Sequence, residues 1–527
     1  MGAPAVRKKR RKAPFPNSIL DRAALIQALE DRNLSVSPLQ VSSFYRSLHR
    51  QHYPSLREFC NNYEKHEQGL RSTATDAPLA QSVSNKKNRN KLQLPQRFLD
   101  FLQDQNNGFV TMTSKIAHRQ TSQDGTTTKL AIHLWDGQLV ESVLMRYINQ
   151  SGSRASLCVS SQCGCAMGCT FCATGTMGWS GNLTSGEILE QIVHADQILA
   201  TEWAQRINET ASEETNKNPP KLDLVRNVVF MGMGEPLDNY THVVEACKVL
   251  LDPGRWNLRH GHVTVSTVGL VSQIRKLTKE LPQVNLALSL HAPNQEDRQA
   301  ICPTAKQYPI KDLIDALDGH MMAYLGNTKK KQGTTFTQAE RFKESSKRRA
   351  MIEYVMLEGP TSTLQSAHQL GKLTENRLLV VNLIPYNQTN ADDKLRCPPR
   401  EHIEEFRTIV ASYGSICTIR RTMGADIDSA CGQLITLKEE AEAANHNKDV
   451  VKDIEDSSGV VATHTKERAA TTVSKRNESS NRDIETTEEN SVDDLERWIQ
   501  PLAMATAVAG ACFLAASALY FRQARRR

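Results

Sequence analysis

Residues 158–178 read CVSSQCGCAMGCTFCATGTMG and set Cys165, Cys169 and Cys172 in a C-x3-C-x2-C loop punctuated by glycines. Glycine makes little steric demand, so three thiolates can converge on one metal centre. A cubane iron–sulfur cluster takes four cysteines. Three leave one iron without a protein ligand, and an open metal position is where a metal acts on a substrate. The competing reading is a structural zinc knuckle completed by Cys163 or a distant histidine. Zinc sites pair their ligands as C-x2-4-C and again at a distance, and the sequence offers no second pair.

Downstream of this loop the pattern alternates between helix and strand. Short apolar runs, VRNVVFMGMG (225–234), HVTVSTVG (262–269), VNLALSLHA (284–292), MIEYVML (351–357), LLVVNLIPYN (378–387) and CTIRRT (417–422), have the composition of buried parallel strands. Amphipathic stretches between them predict helices near Thr184–Ala200, Tyr240–Leu251, Val271–Glu280, Ile310–Tyr324, Thr363–Thr374 and Arg400–Tyr413. A βα repeat of such short strands predicts an α/β fold, a parallel sheet curled into a full or partial barrel, with its active site at the C-terminal strand ends. The polar stretches Ala204–Lys221 and Asn327–Lys347 read as surface insertions.

Upstream, apolar residues recur at helical spacing from Ile19 to about Leu102, with the polar stretch Glu67–Lys91 reading as a loop. Tyr45, Arg46, His49, Arg50 and Tyr53 admit two readings, contact with an RNA backbone or ordinary helix packing. From Phe109 to Tyr147 strict alternation and the pair Asp136-Gly137 predict a short antiparallel sheet leading into the cysteine loop; Glu141 lies on it, facing solvent or the active site.

The termini differ in kind. The run Arg7–Lys12 is a solvated tail, a targeting signal or an RNA-touching arm. Residues 445–496 are polar and charged, too poor in apolar side chains to offset ordering entropy, and read as a disordered linker. Residues 498–521 carry no charge and precede Arg522 and Arg525–Arg527. About 20 residues of helix cover roughly 30 Å, so this stretch reads as a transmembrane tail anchor. The expected organisation is a basic tail (1–18), a helical RNA-binding module (19–105), a catalytic domain including the leading sheet (106–436), the linker (437–496) and the anchor (498–521). Over 527 residues Lys plus Arg exceed Asp plus Glu by 65 minus 58, or +7, which permits a nucleic-acid partner. Twelve cysteines without a secretory signal fit a reducing compartment better than a disulfide scaffold.

The segments LCVSSQCGCAMGCTFCATG (157–175), FMGMGEPL (230–237), VSTVG (265–269), SLHAP (289–293), VNLIPYN (381–387) and MGADIDSACGQL (423–434) stand in the order found in one family. Across about Ile19 to Leu434 the chain resembles the radical S-adenosylmethionine (SAM) RNA adenosine C2-methyltransferases and their C8-methylating relatives. The resemblance implies a partial barrel of the radical SAM type. It also implies a [4Fe-4S] cluster on Cys165, Cys169 and Cys172, and SAM contacts from Gly234, Glu235, Ser266, Ser289, Leu290, His291 and Asn387. Cys431 matches the family's methyl-carrying cysteine, Cys158 its resolving cysteine, and Glu141 a proton acceptor.

By the same resemblance, two SAM molecules serve each turnover. The first methylates Cys431. The second yields a 5′-deoxyadenosyl radical that takes hydrogen from that methyl, and the carbon radical adds to adenine. Cys158 then releases the RNA as a Cys158–Cys431 disulfide forms, which is reduced before the next cycle. Such a route suits carbon 2 of adenine, an electron-poor carbon with no lone pair to displace a methyl from SAM directly. The partners implied are RNA, ribosomal first and transfer RNA second, and an external electron donor, with the chain a monomer. Methylation at carbon 8 of adenosine, another radical SAM substrate, and a non-catalytic iron–sulfur RNA-binding scaffold are the alternatives. The tail anchor places the enzyme on the cytosolic face of an organelle membrane; a basic presequence would place it inside a mitochondrion or plastid.

Overall fold

The apolar runs form strands, and ten of the strands form one large sheet. The computed structural model describes residues 11–12, 14–75, 93–149, 152–210, 224–326, 350–377, 379–388 and 394–434. All lie in the first of two units, 1–453 and 454–527. Strands β1 (Asn17–Ser18) and β2 (Phe109–Val110) pair in parallel at either end of the helical segment. Then come β3 (Lys115–Thr121), β4 (Thr127–His133), β5 (Leu139–Asn149) and β6 (Gly152–Cys158), the small hairpin β7 (Gln162–Gly164) and β8 (Trp179–Asn182), and β9 (Val225–Phe230), β10 (Val263–Thr267), β11 (Asn285–Ser289), β12 (Ala350–Met356), β13 (Val380–Pro385) and β14 (Ile416–Ile419). The main sheet runs β14-β13-β12-β11-β10-β9-β6-β5-β4-β3.

β3 to β6 are antiparallel, and β6 and β9 to β14 are parallel. The leading antiparallel sheet is therefore not a separate layer. Both edges of β6 are paired, so Cys158 has Val143 opposite it on one side and Val229 on the other. The Asp136-Gly137 turn joins β4 to β5 as its sequence predicts, with Gly137 at φ +78°.

Helices Ser185–Thr210, Tyr240–Leu251, Val271–Glu280, Ile310–Gly326, Leu364–Thr374 and Arg400–Ser412 alternate with the parallel strands. Val271–Glu280 shows why: Val271, Ile274 and Leu277 share one stripe, and that stripe is buried. Helix Ser185–Thr210 takes in the start of the stretch read as an insertion, and helix Leu56–Thr75 runs into the polar stretch read as a loop. The remainders of both, like residues 327–349, lie outside the described residues.

The helical segment shares one hydrophobic core with the sheet. Helix Pro38–Arg50 opens with Ser37 and Gln40 in a capping box and buries Val41, Phe44, Tyr45 and Leu48. Tyr45 is used for packing: its hydroxyl donates to Ile19 O at 2.8 Å and the Arg255 guanidinium covers its ring. Tyr53 stacks on Trp256, with His49 against both. These side chains, candidates for RNA contact from sequence, tie the helices to the loop before β10. The expected membrane span, residues 498–521, lies outside the described residues; among those, no helix is long and apolar enough to cross a membrane.

Candidate active site

A cavity of about 170 Å³ opens at the C-terminal ends of β9 to β14. Phe230, Ser266, Ser289, Glu353, Ile384 and Arg420 line it, one from each strand or just beyond it. Laid flat, six strands at about 4.8 Å spacing would spread over roughly 24 Å, so the sheet curls to bring these residues together. Cys165, Cys169 and Cys172 form part of the same wall. They are partly exposed thiols, a soft donor set suited to iron–sulfur ligation. Among the described residues no three Cys, His or acidic side chains converge tightly enough to enclose a single ion. Three soft thiolate donors that leave one coordination position open suit an iron–sulfur cluster better than a closed zinc site.

Gly234 and Glu235 follow β9. Gly234 has φ +99°, and a Cβ there would meet Gln162 Cβ at 2.5 Å, so only glycine lets this turn close on the cysteine hairpin. The buried Glu235 carboxylate accepts from Val268 N at 2.8 Å and Leu237 N at 3.0 Å, and burial pushes its pKa up to about 7. His291 is held at φ +64°; its Nδ1 accepts from Val355 N at 3.1 Å and its ring meets Phe171 edge-on. Burial, with Arg298 nearby, lowers its pKa to about 3, so the imidazole is neutral. Ser266 Oγ and Ser289 Oγ are 3.2 Å apart. Leu290 is fully buried and does not line the cavity; its carbonyl accepts from Arg298 Nε.

A second cavity adjoins the first. Cys158, Val143, Met145, Tyr147, Asn387 and Arg421 line it, and Ile384, Arg420 and Cys431 line both. Cys431 thus stands in the wall between the cysteine-lined cavity and the one that holds Cys158. Burial pushes the Cys158 thiol up to about 12. Asn387 faces this second space and is absent from the wall of the first. Glu141 shares the β5 face of Val143 and Met145, is buried, and has its pKa raised to about 7 by burial, against the pull of Lys129.

The sequence reading did not single out Arg420, Glu353 or Arg11. Cys431 is the strongest influence tightening Arg420's hold on its proton, with Glu353 and Cys158 acting the same way and burial opposing. Glu353 accepts from Asn382 Nδ2 at 3.0 Å. Arg11, the penultimate residue of the basic run, is not solvated. Its guanidinium meets Asp136 at 2.6 Å, Glu187 at 2.5 Å and Asn182 O at 3.2 Å, bracing the β7–β8 hairpin that encloses the cysteines. With side-chain exposures of 4% for Arg11 and 0% for Glu187, Arg11→Ala strands carboxylates without a counter-charge. The expected cost is about 3 kcal/mol, read as a lower denaturant midpoint, with Arg11→Lys recovering part of it.

No family model matches the chain. It is 38% identical over 332 residues to "Ribosomal RNA large subunit methyltransferase N" of Nitrosopumilus maritimus, covering 62% of this chain and 82% of that protein. To "Dual-specificity RNA methyltransferase RlmN 1" of Myxococcus xanthus it is 39% identical over 317 residues, covering 60% and 76%. Among solved structures it is similar to a radical SAM methyltransferase from Sphaerobacter thermophilus, with TM-score 0.57 and 30% identity over 79% of this chain and 98% of that one. These matches correct the expected address. The relatives are archaeal and bacterial enzymes, and no membrane-crossing helix occurs among the described residues, so the organelle-membrane and organelle-interior locations are withdrawn.

Proposed function

Because the chain belongs to the family of the dual-specificity RNA methyltransferases of the RlmN type, we propose that it methylates carbon 2 of adenosine in RNA through a methylated Cys431. Ribosomal RNA is the first substrate and transfer RNA the second. The observation that carries this reading is the place of Cys431, in the wall shared by the two cavities with Cys158 beyond it. A thiol so placed can be loaded from one side and discharged from the other.

In this reading the curled sheet is the partial barrel of a radical SAM enzyme. Cys165, Cys169 and Cys172 would hold a [4Fe-4S] cluster, and Gly234, Glu235, Ser266, Ser289 and His291 would face SAM. When bound, and with an electron from an external donor, these groups would supply a methyl for Cys431 and the hydrogen-abstracting chemistry that activates that methyl, at two SAM per turnover. Neutral His291 and the serine pair offer neutral hydrogen-bonding partners, and Glu235 a carboxyl for a ribose diol or ammonium. Cys431 carries the carbon that joins the adenine ring. Glu141 accepts the ring proton as the adduct gives up one electron, returned along the path from the external donor. Cys158 then attacks the Cys431 sulfur, and the carbon–sulfur bond breaks with its electron pair on the carbon, which takes a proton and leaves as the methyl of the RNA while the Cys158–Cys431 disulfide closes.

The experiment is anaerobic incubation of reconstituted protein with RNA, SAM and a reductant, followed by mass spectrometry of nucleosides. The expected product is 2-methyladenosine. Finding 8-methyladenosine instead overturns the position, and no methylated adenosine with the cluster intact overturns the function.

A further inference from the structure

Lys129 is a buried cation on β4 that the reaction as described does not use. Its Nζ stands 3.9 Å from Glu141 Oε1 and 3.4 Å from the carbonyl oxygen of Asp428, to which it donates. Neither carboxylate oxygen of Glu141 has a hydrogen-bond partner among the described residues. The register explains the placement. Lys129 lies opposite Val143 and Ala131 opposite Glu141, so lysine and glutamate are diagonal neighbours on one face of the sheet. Val143 in turn lies opposite Cys158, which puts Lys129, Val143 and Cys158 in one row across β4, β5 and β6.

Asp428 belongs to the loop that delivers Cys431, and it holds a left-handed conformation at φ +47°, unusual for any residue but glycine. That loop docks on the β3–β4 region at several points. Gln123 N donates to Asp426 Oδ2 at 2.9 Å, and Gly424 lies so close to Thr127 that a side chain would not fit. The Lys129 contact is charged, and the same ammonium reaches the glutamate.

We propose that Lys129 is a positioning residue: it keeps Glu141 ionised as the proton acceptor and fixes it relative to the loop of Cys431. The proposal rests on the reading of Glu141 as the base in RNA methylation. Two charges face Glu141, Lys129 from β4 and Asp428 from the Cys431 loop, and they act in opposite directions. The other contacts at this residue are uncharged and reach its backbone: Ser160 Oγ donates to its carbonyl, and its N–H points to Met233 Sδ. A base must be deprotonated, so product formation falls as pH drops through the Glu141 midpoint, about 7. Removing Lys129 moves that midpoint up.

The test uses full-length, reconstituted protein with Cys431 already methylated, as verified by peptide mass. Single-turnover formation of methylated RNA is followed across pH. Lys129→Met is expected to slow product formation about fivefold at pH 7, approaching tenfold at lower pH, and to shift the midpoint up by roughly one pH unit, with much of the rate recovered at higher pH. Lys129→Arg keeps the parent midpoint. Asp428→Asn, a change at an exposed side chain, moves the midpoint down and covers the case in which Lys129→Met does not fold. Equal slowing at every pH, no slowing in Lys129→Met, or an unmoved midpoint in Asp428→Asn overturns the proposal. If Glu141→Gln retains the parent rate and pH profile, the base assignment beneath it falls instead.

Discussion

Cys431→Ala is expected to leave RNA unmethylated, at least about 10³-fold below the parent by nucleoside mass spectrometry, while the cluster's visible absorbance is kept. No other thiol among the described residues can stand in. Cys165, Cys169 and Cys172 line the first cavity alone, and Cys158 lines the second alone. Cys431 is the thiol common to both, so without it a methyl delivered in one space has no carrier into the other. Preserved absorbance separates loss of the carrier from loss of the cluster. Methylation that survives in the mutant would mean that the methyl passes to RNA directly, and the relay would be abandoned.

The parallel half of the fold is legible because buried strands announce themselves as short apolar runs such as VNLALSL, and the amphipathic segments between them can only be helices. The junction at β6 is less legible. Alternation upstream and apolar runs downstream suggest two sheets, whereas pairing on both edges of β6 merges them, and pairing partners are not encoded locally.

The same limit governs the site. Cysteines are rare and their spacing is informative, so Cys165, Cys169 and Cys172 stand out in the sequence, while Cys158 and Cys431 are picked out by the motifs that carry the family resemblance. Lys129, Arg420, Glu353 and Arg11 are common residue types whose importance lies in what the fold sets beside them. In sequence, Lys129 is one polar residue in an alternating strand; in the structure it is buried against Glu141. Tyr45 and Tyr53 show the reverse: aromatics interleaved with basic residues suggest RNA contact until Arg255 and Trp256 are seen against their rings.

Cys158→Ala is expected to stop the reaction one step later than Cys431→Ala, with a different signature. RNA becomes covalently attached to Cys431, visible as a protein–RNA species on a denaturing gel and as a nucleotide mass on the Cys431 peptide, while free methylated RNA falls at least about 10²-fold. Cleaving the carbon–sulfur bond needs a nucleophile aimed at the Cys431 sulfur, and Cys158 is the cysteine that shares the second cavity with it. With its thiol pushed up to about 12 by burial, Cys158 is protonated at rest, which protects methylated Cys431 from premature attack. Its attack therefore requires loss of that proton, and the Arg420 guanidinium beside both thiols favours the thiolate as it forms. The parent enzyme should accordingly give about one product per protein when no disulfide reductant is supplied, and many when it is. Free product from Cys158→Ala at the parent rate would show that water or another base breaks the adduct, leaving Cys158 a buried thiol of the β6 junction and nothing more.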